Sequence, residues 1–219
     1  QGYAEGLVEG MAEDAENRSY YCGVIMDEAG KMSKMVRQLL TLTALEFGRE
    51  QAVIERFDLT ELVQSVLAAS GLMLKQKEIT VECGLTDPVF VMGDEFKIEE
   101  VVTNYLTNAV NHAQGEKRIA IRAVRRMGAD GARIRVSVFN TGQPIPEEAL
   151  PNLWTKFYKV DKARTRAYGG SGIGLSIVKA IMESHRQAYG VENREDGVEF
   201  WFELACAGED PDCTESRTP

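Results

Sequence analysis

The sequence is poor in the residues that build metal centres and disulfide frameworks. Two histidines (His112, His185) and four cysteines (Cys22, Cys83, Cys206, Cys213) occur in 219 residues, and no two cysteines form a CxxC pair. That spacing excludes zinc-finger ligand sets, and sparse unpaired cysteine fits a reducing cytoplasm. No run of about 18 apolar residues is present, so no segment reads as a membrane-spanning helix. No secretory signal opens the chain, since the first 16 residues carry several acids and no apolar block. Basic residues are in deficit, 25 Lys plus Arg against 34 Asp plus Glu, and the net charge of −9 repels phosphate backbones. No nucleic-acid partner is therefore expected. What remains is ordinary for a globular protein, 44% hydrophobic and 27% charged, with enough chain to bury its own core. The chain opens at Gln1 rather than Met, which reads as a piece of a longer protein whose membrane segment, if any, lies outside it.

Residues 1–48 read as helix. Ile25, Met32, Met35, Val36, Leu39 and Leu42 recur at spacings of three, four or seven and form one apolar stripe. A break expected near Glu16–Ser19 makes this a helical hairpin, closed by Gly48 as a C′ residue. The stripe can serve a seam between chains or pack on its own domain.

A mixed pattern follows. Strands are expected at Ile54–Phe57, Ile79–Cys83, Val89–Met92, Arg118–Arg126, Ala132–Phe139, Tyr189–Asn193 and Val198–Leu204. Asp130-Gly131 and Asp196-Gly197 mark hairpins. Helices are expected at Leu59–Gln76, capped by Asp58, at Asp94–Ala113 and at Gly172–Ser184. Thr141–Gly170 reads as a long irregular segment with one short helix near Glu147–Leu153, and residues 207–219 as a disordered tail. The fold class is thus α+β: a two-layer sandwich of a mixed, mostly antiparallel sheet with helices on one face, preceded by the hairpin.

Three segments carry candidate chemistry. In Asn104–His112 (NYLTNAVNH), Asn104, Asn108 and Asn111 share one helix face. Asparagine is a poor helix former, so three together need a reason. Carboxamide oxygens bind hard cations such as Mg²⁺ and their NH₂ groups meet phosphate, though a solvated polar face has the same appearance. In Phe139–Pro146 (FNTGQPIP), Asn140 ends a strand with a donor and an acceptor suited to an adenine edge, and Gly142 admits a flat ring; the bland alternative is a simple turn. In Gly169–Lys179 (GGSGIGLSIVK), Gly170, Gly172 and Gly174 precede a helix whose positive end attracts anions, or form only a flexible loop. Between the last two, Lys156, Lys159, Lys162, Arg164 and Arg166 face the single acid Asp161, a local balance of +4. Such a reversal of charge suits a lid over polyphosphate, with Phe157-Tyr158 anchoring one end.

In this order the segments resemble the ATP-binding domain of sensor histidine kinases, within the superfamily shared with DNA gyrase B and MutL. The resemblance covers roughly residues 50–206. NYLTNAVNH is similar to the N box, FNTGQPIP to the G1 box, KFYK (Lys156–Lys159) to the F box and GGSGIGLSI to the G2 box. Val24–Gly48 is similar to the second helix of the dimerisation hairpin, and Gln1–Leu7 to the lower part of its first helix. The implied organisation is a partial dimerisation and phosphotransfer hairpin (1–48), an ATP-binding domain (49–206) and a tail (207–219).

The resemblance implies ATP and Mg²⁺ as cofactors. Asn108 would hold Mg²⁺, with Asn104 one turn earlier as a catalytic-face residue. Asn111 and His112 would lie near phosphates or ribose, Asn140 would read the adenine amine, and Gly142 and Ile145 would shape that pocket. Phe157, Tyr158 and Lys159 would close from the F box, with Lys159 facing the γ-phosphate as the second catalytic residue; Gly170, Ser171, Gly172, Ile173, Gly174 and Leu175 would wrap the triphosphate. Asn140 stands where the family has Asp, Pro144 where it has a second Gly, and Asn111 where it often has Lys. The acceptor histidine of the family has no counterpart here and would lie about ten residues before Gln1. The implied activity is phosphoryl transfer from ATP to that histidine and on to a response-regulator receiver domain. The implied setting is a homodimer through the hairpin, in the cytoplasmic region of a membrane protein. An ATPase clamp of the same superfamily and a non-catalytic ATP-sensing module are the alternatives; a clamp usually has Glu, a proton acceptor, at the Asn104 position.

Overall fold

The computed structural model describes residues 2–8, 15–46, 52–128, 131–160 and 171–208. Helices α1 (Gly2–Val8) and α2 (Ala15–Glu46) lead into β1 (Glu55–Asp58), α3 (Leu59–Gln76), β2 (Thr80–Cys83), β3 (Phe90–Gly93) and α4 (Glu95–His112). Then come β4 (Arg118–Gly128), β5 (Gly131–Thr141), a single 3-10 turn (Leu150–Asn152), α5 (Gly174–Ser184), β6 (Tyr189–Arg194) and β7 (Gly197–Cys206). The strands form one seven-stranded sheet in the order β1-β3-β7-β5-β4-β2, with β6 also paired to β7. Only β2 and β4 run parallel among these pairs; the others are antiparallel.

The alternation of the strands decides which side the helices cover. Val136 and Val138 of β5, and Phe200, Phe202 and Leu204 of β7, are buried against the helical layer. Ile98, Val101, Val102, Tyr105, Leu106, Ala109 and Val110 give α4 an apolar face that fits this surface, and Ile177, Val178, Ile181 and Met182 do so for α5. Burying each large aliphatic side chain contributes about 1.5–3 kcal/mol. Tyr105 is fully buried beside Phe200, and its hydroxyl donates to Trp201 O at 3.2 Å. The opposite sheet face is polar but layered: the Arg135 guanidinium lies 3.7 Å from the Trp201 ring centroid and pairs with Glu203 at 2.8 Å.

Helix starts follow the expected chemistry. Asp58 caps α3 by accepting from Thr60 N at 2.8 Å, and Asp94 caps α4 by accepting from Lys97 N at 3.2 Å. Burial disfavours the charged form of Asp94, but bonds from the Val53 and Lys97 amides and the Lys97 ammonium outweigh it and hold its carboxyl below the usual range. The backbone N–H of Asp94 donates to His185 Nε2 at 3.0 Å, which ties the end of α5 to the start of α4. The His185 Nδ1 meets Ile181 O at 2.8 Å, so the ring is the neutral Nδ1–H tautomer; burial lowers its pKa.

Three expectations need correction. The helix break near Glu16–Ser19 does not occur there: α2 runs unbroken from Ala15, and no Gly or Pro in that stretch supplies a stop. The helix expected over Glu147–Leu153 shrinks to the 3-10 turn, where Pro151 withholds a backbone donor. The last helix begins at Gly174 rather than Gly172. Gly48, the Asp130 half of the hairpin signal, residues 161–170 of the basic segment including Gly170, and the tail beyond Gly208 lie outside the described residues. The α2 stripe divides. Leu42 and Leu45 are buried, whereas Met32 (67%), Val36 (56%) and Leu39 (42%) stay exposed, so the stripe is not consumed by its own domain.

Candidate nucleotide site

The other two motif segments both pack against α4, which carries the asparagines. Two glycines report the contact because a methyl group would not fit. A Cβ on Gly174 would lie 2.7 Å from Asn104 Oδ1, and a Cβ on Gly142 would lie 2.8 Å from His112 O. The helix that carries the asparagines is thereby pinned between the Gly-rich helix start at its middle and the strand-end turn at its C-terminal end. A third contact joins the aromatic pair to the glycines. Phe157 N donates to Gly172 O at 2.8 Å, and a Cβ on Gly172 (φ +71°) would meet the Phe157 backbone at 3.0 Å. Phe157 itself holds a left-handed backbone (φ 61°) with its ring half-exposed.

Asn140 is 2% exposed. Its Nδ2 donates to Thr141 O at 3.2 Å, while its Oδ1 is buried with no hydrogen-bond partner among the described residues. Such an orphaned acceptor is costly unless something supplies a donor. Neighbouring bonds fix the turn: Thr141 Oγ1 donates to Gln114 O at 2.8 Å, Gln114 N donates to Thr141 O at 2.9 Å, and Gly142 N donates to Asp196 O at 3.0 Å. Ile145 is held by Asn193 through a reciprocal pair, each bond 2.8 Å. That asparagine, 48 residues away in sequence, gave no signal of its own.

On α4, Asn104 Nδ2 donates to Glu100 O at 2.8 Å, which leaves its oxygen toward Gly174. Asn108 is half-buried, with no side-chain hydrogen bond among the described residues. Asn111 accepts from Lys77 Nζ at 2.9 Å, a partner from the end of α3 that sequence spacing did not reveal. Ile173 is buried as the cap residue of α5, and Ser176 Oγ donates back to its carbonyl at 2.7 Å. Leu175 packs at the margin of the core, and Tyr158 and Lys159 are half-buried beside Phe157. His112 is exposed, and its carbonyl rather than its ring meets Gly142. Ser171 Oγ accepts from Ile173 N at 3.3 Å and donates to Gln38 Oε1 at 2.8 Å, so α2 touches the Gly-rich segment directly. Beside that contact a cavity of about 370 Å³ opens between α2 and α4, lined by Arg37, Gln38, Thr41 and Glu100. Desolvation raises the Glu100 carboxyl pKa there.

Chemically the arrangement offers an unsatisfied acceptor at a strand end, a neutral carboxamide face and a glycine-containing helix start packed against that face. Those are the parts of a purine and polyphosphate cleft. No cluster of His, Cys, Asp or Glu suited to a metal ion occurs among the described residues. A two-layer α/β sandwich with these segments set against one helix has the architecture of an ATP-binding fold of the type shared by kinases and ATPases.

Residues 93–207 match the model of the family described as histidine kinase-, DNA gyrase B- and HSP90-like ATPase, and the chain belongs to that family. It is 29% identical over 205 residues to sensor protein kinase WalK of Staphylococcus saprophyticus, covering 93% of this chain and 33% of that protein. The chain thus spans about a third of the length of that curated relative. Among solved structures it resembles full-length ShkA in complex with AMPPNP (TM-score 0.71, 26% identity, 89% of this chain and 40% of that one). It also resembles histidine kinase ThkA in complex with the response regulator protein TrrA (TM-score 0.71, 27% identity, 94% and 57%).

Proposed function

We propose that this chain is the ATP-binding kinase region of a two-component sensor histidine kinase. It passes the γ-phosphate of ATP to a histidine outside this sequence, for relay to an aspartate of a response-regulator receiver domain. The observation that supports the reading best is that Gly174 packs on Asn104 and Gly142 on the His112 carbonyl, which sets the Gly-rich helix start and the strand-end turn against the same helix, α4. The similarity to a kinase bound to AMPPNP and to one bound to a response regulator supports the ligand and the partner.

The orphaned Asn140 Oδ1 accepts the adenine amine, and the ring lies against the Asn140–Gly142 turn, whose glycine lets the His112 carbonyl pack close. Asn108, half-buried, supplies a carboxamide oxygen to Mg²⁺, with Asn104 beside it on the same face. Bound there, Mg²⁺ neutralises charge on the phosphates. Gly172 and Gly174 form the turn into α5 beside the triphosphate, with Lys159 facing the γ-phosphate. His112 borders the ribose end. This is catalysis by positioning and charge neutralisation. Asn104 cannot accept a proton from water, which argues against the hydrolytic clamp. Residues 1–48 act as part of the dimerisation hairpin: the exposed Met32, Val36 and Leu39 form the seam with a second copy. The region works in the cytoplasm, anchored by segments outside this chain.

Radiolabelled ATP, the chain and a separate peptide carrying a phosphoacceptor histidine test the reading. Label on the peptide supports the kinase. Free phosphate alone assigns the clamp, and binding without either product assigns a sensing module. Asn108→Ala is expected to abolish Mg²⁺-dependent nucleotide binding, and unchanged calorimetric affinity would remove it from the metal role.

A further inference from the structure

The neutral asparagine face is a poor match for a triphosphate unless a cation reaches it, and the structure brings one from another element. Lys77 follows the last residue of α3, and its ammonium donates to Asn111 Oδ1 at 2.9 Å. Asn111, Asn108 and Asn104 share one side of α4, so the ammonium is set on the same side as the candidate cleft.

The backbone around Lys77 is fastened by more than the helix. Lys77 N donates to Met73 O at 3.1 Å, and Ile79 N donates to Leu74 O at 3.0 Å. Lys117 Nζ donates to Lys77 O at 3.2 Å and pairs with Glu78 at 3.1 Å. Glu78 (φ 56°) and Lys117 (φ 50°) both hold left-handed backbone, which costs non-glycine residues free energy and persists only where the surroundings enforce it. Two strained residues thus flank the turn that presents Lys77.

We propose that Lys77 is a phosphate-binding cation of the nucleotide site, delivered from the end of α3 and aimed by Asn111. The inference rests on the functional reading above and adds a binding residue to it. Its place along α4 specifies which phosphate. Asn111 lies two turns beyond Asn104, about 10 Å, toward the end where His112 meets Gly142. Lys77 therefore serves the phosphate nearest the ribose, whereas Lys159, beside the Phe157–Gly172 contact, serves the far end.

The test is calorimetric titration of the whole chain with Mg²⁺ and ATP or ADP, and NMR titration with adenosine, for wild type, Lys77→Met and Lys77→Arg. Loss of one charge-assisted bond is expected to weaken ATP and ADP by the same factor, about tenfold, in Lys77→Met. Adenosine affinity stays unchanged, and Lys77→Arg restores most of the loss. Equal weakening of all three ligands would show a merely structural lysine and overturn the proposal, as would unaltered ATP affinity in Lys77→Met. If the wild-type chain binds no ATP, the functional reading fails and takes this inference with it. ATP binding that is indifferent to Lys77 leaves that reading intact and sinks only the inference.

Discussion

Gly174→Ala separates stability from binding at the nucleotide cleft. The new methyl would sit 2.7 Å from Asn104 Oδ1, and ordinary van der Waals contact begins near 3.4 Å, so the oxygen must retreat by about 0.7 Å. Asn104 is not free to do so at no cost, because its Nδ2 is bonded to Glu100 O at 2.8 Å. Swinging the carboxamide away loses that bond, about 1 kcal/mol. Against this, alanine in the first turn of α5 is favoured over glycine by up to about 1 kcal/mol, and the position needs no left-handed backbone. The two nearly cancel, so thermal unfolding is expected to shift by no more than about 4 °C. ATP affinity is expected to fall at least about tenfold, because the carboxamide leaves the cleft and the helix start can no longer be closely approached. Paired measurements, thermal denaturation and calorimetric titration, read the two effects. An alanine variant that binds ATP like wild type would refute the reasoning, and so would one that loses binding only in proportion to lost stability.

Other outcomes follow from the same geometry. Gly142→Ala presses a methyl against the His112 carbonyl, a backbone atom that cannot swing aside, at a φ of +157°; a loss of about 2 kcal/mol is expected in urea unfolding, and an unchanged midpoint would contradict it. Asn140→Ala removes a buried acceptor without a partner, so stability changes by less than about 1 kcal/mol while discrimination of ATP over GTP collapses in competition binding. His185 is held neutral by burial, with a folded pKa below the unfolded value of about 6.5. The unfolded chain then binds more protons, so stability is full above about pH 6.5 and declines as pH falls below it. Asp94, whose folded pKa is likewise depressed, adds a further loss below about pH 4. Urea midpoints from pH 7.5 to 5 should fall in wild type and flatten in His185→Gln, and a flat wild-type profile would contradict the assignment.

Local chemistry was legible wherever it was sufficient to set local structure. Asp58 marks a helix start because a carboxylate satisfies open amides within three residues, and α3 begins where that cap falls. The period of Val136, Val138, Phe200 and Phe202 shows which sheet face is covered. The convergence of the three motifs was inferred from their order and resemblance; the structure sets the strand-end turn and the Gly-rich helix start against α4. Long-range partners were not legible. Lys77 and Asn111 are 34 residues apart, and Asp94 and His185 are 91 apart; neither pair leaves a pattern in spacing. The helix break misplaced at Glu16–Ser19 shows a different limit: polar residues lower helix propensity, but without Gly or Pro they do not end a helix.

The most direct measurement is amide chemical-shift mapping of the chain titrated with Mg²⁺ and a non-hydrolysable ATP analogue. The account predicts saturable shifts at Asn104, Asn108, Asn140, Gly142, Gly172 and Gly174 together. Saturation with shifts confined to other surfaces, or no saturable shift at millimolar nucleotide, would contradict it.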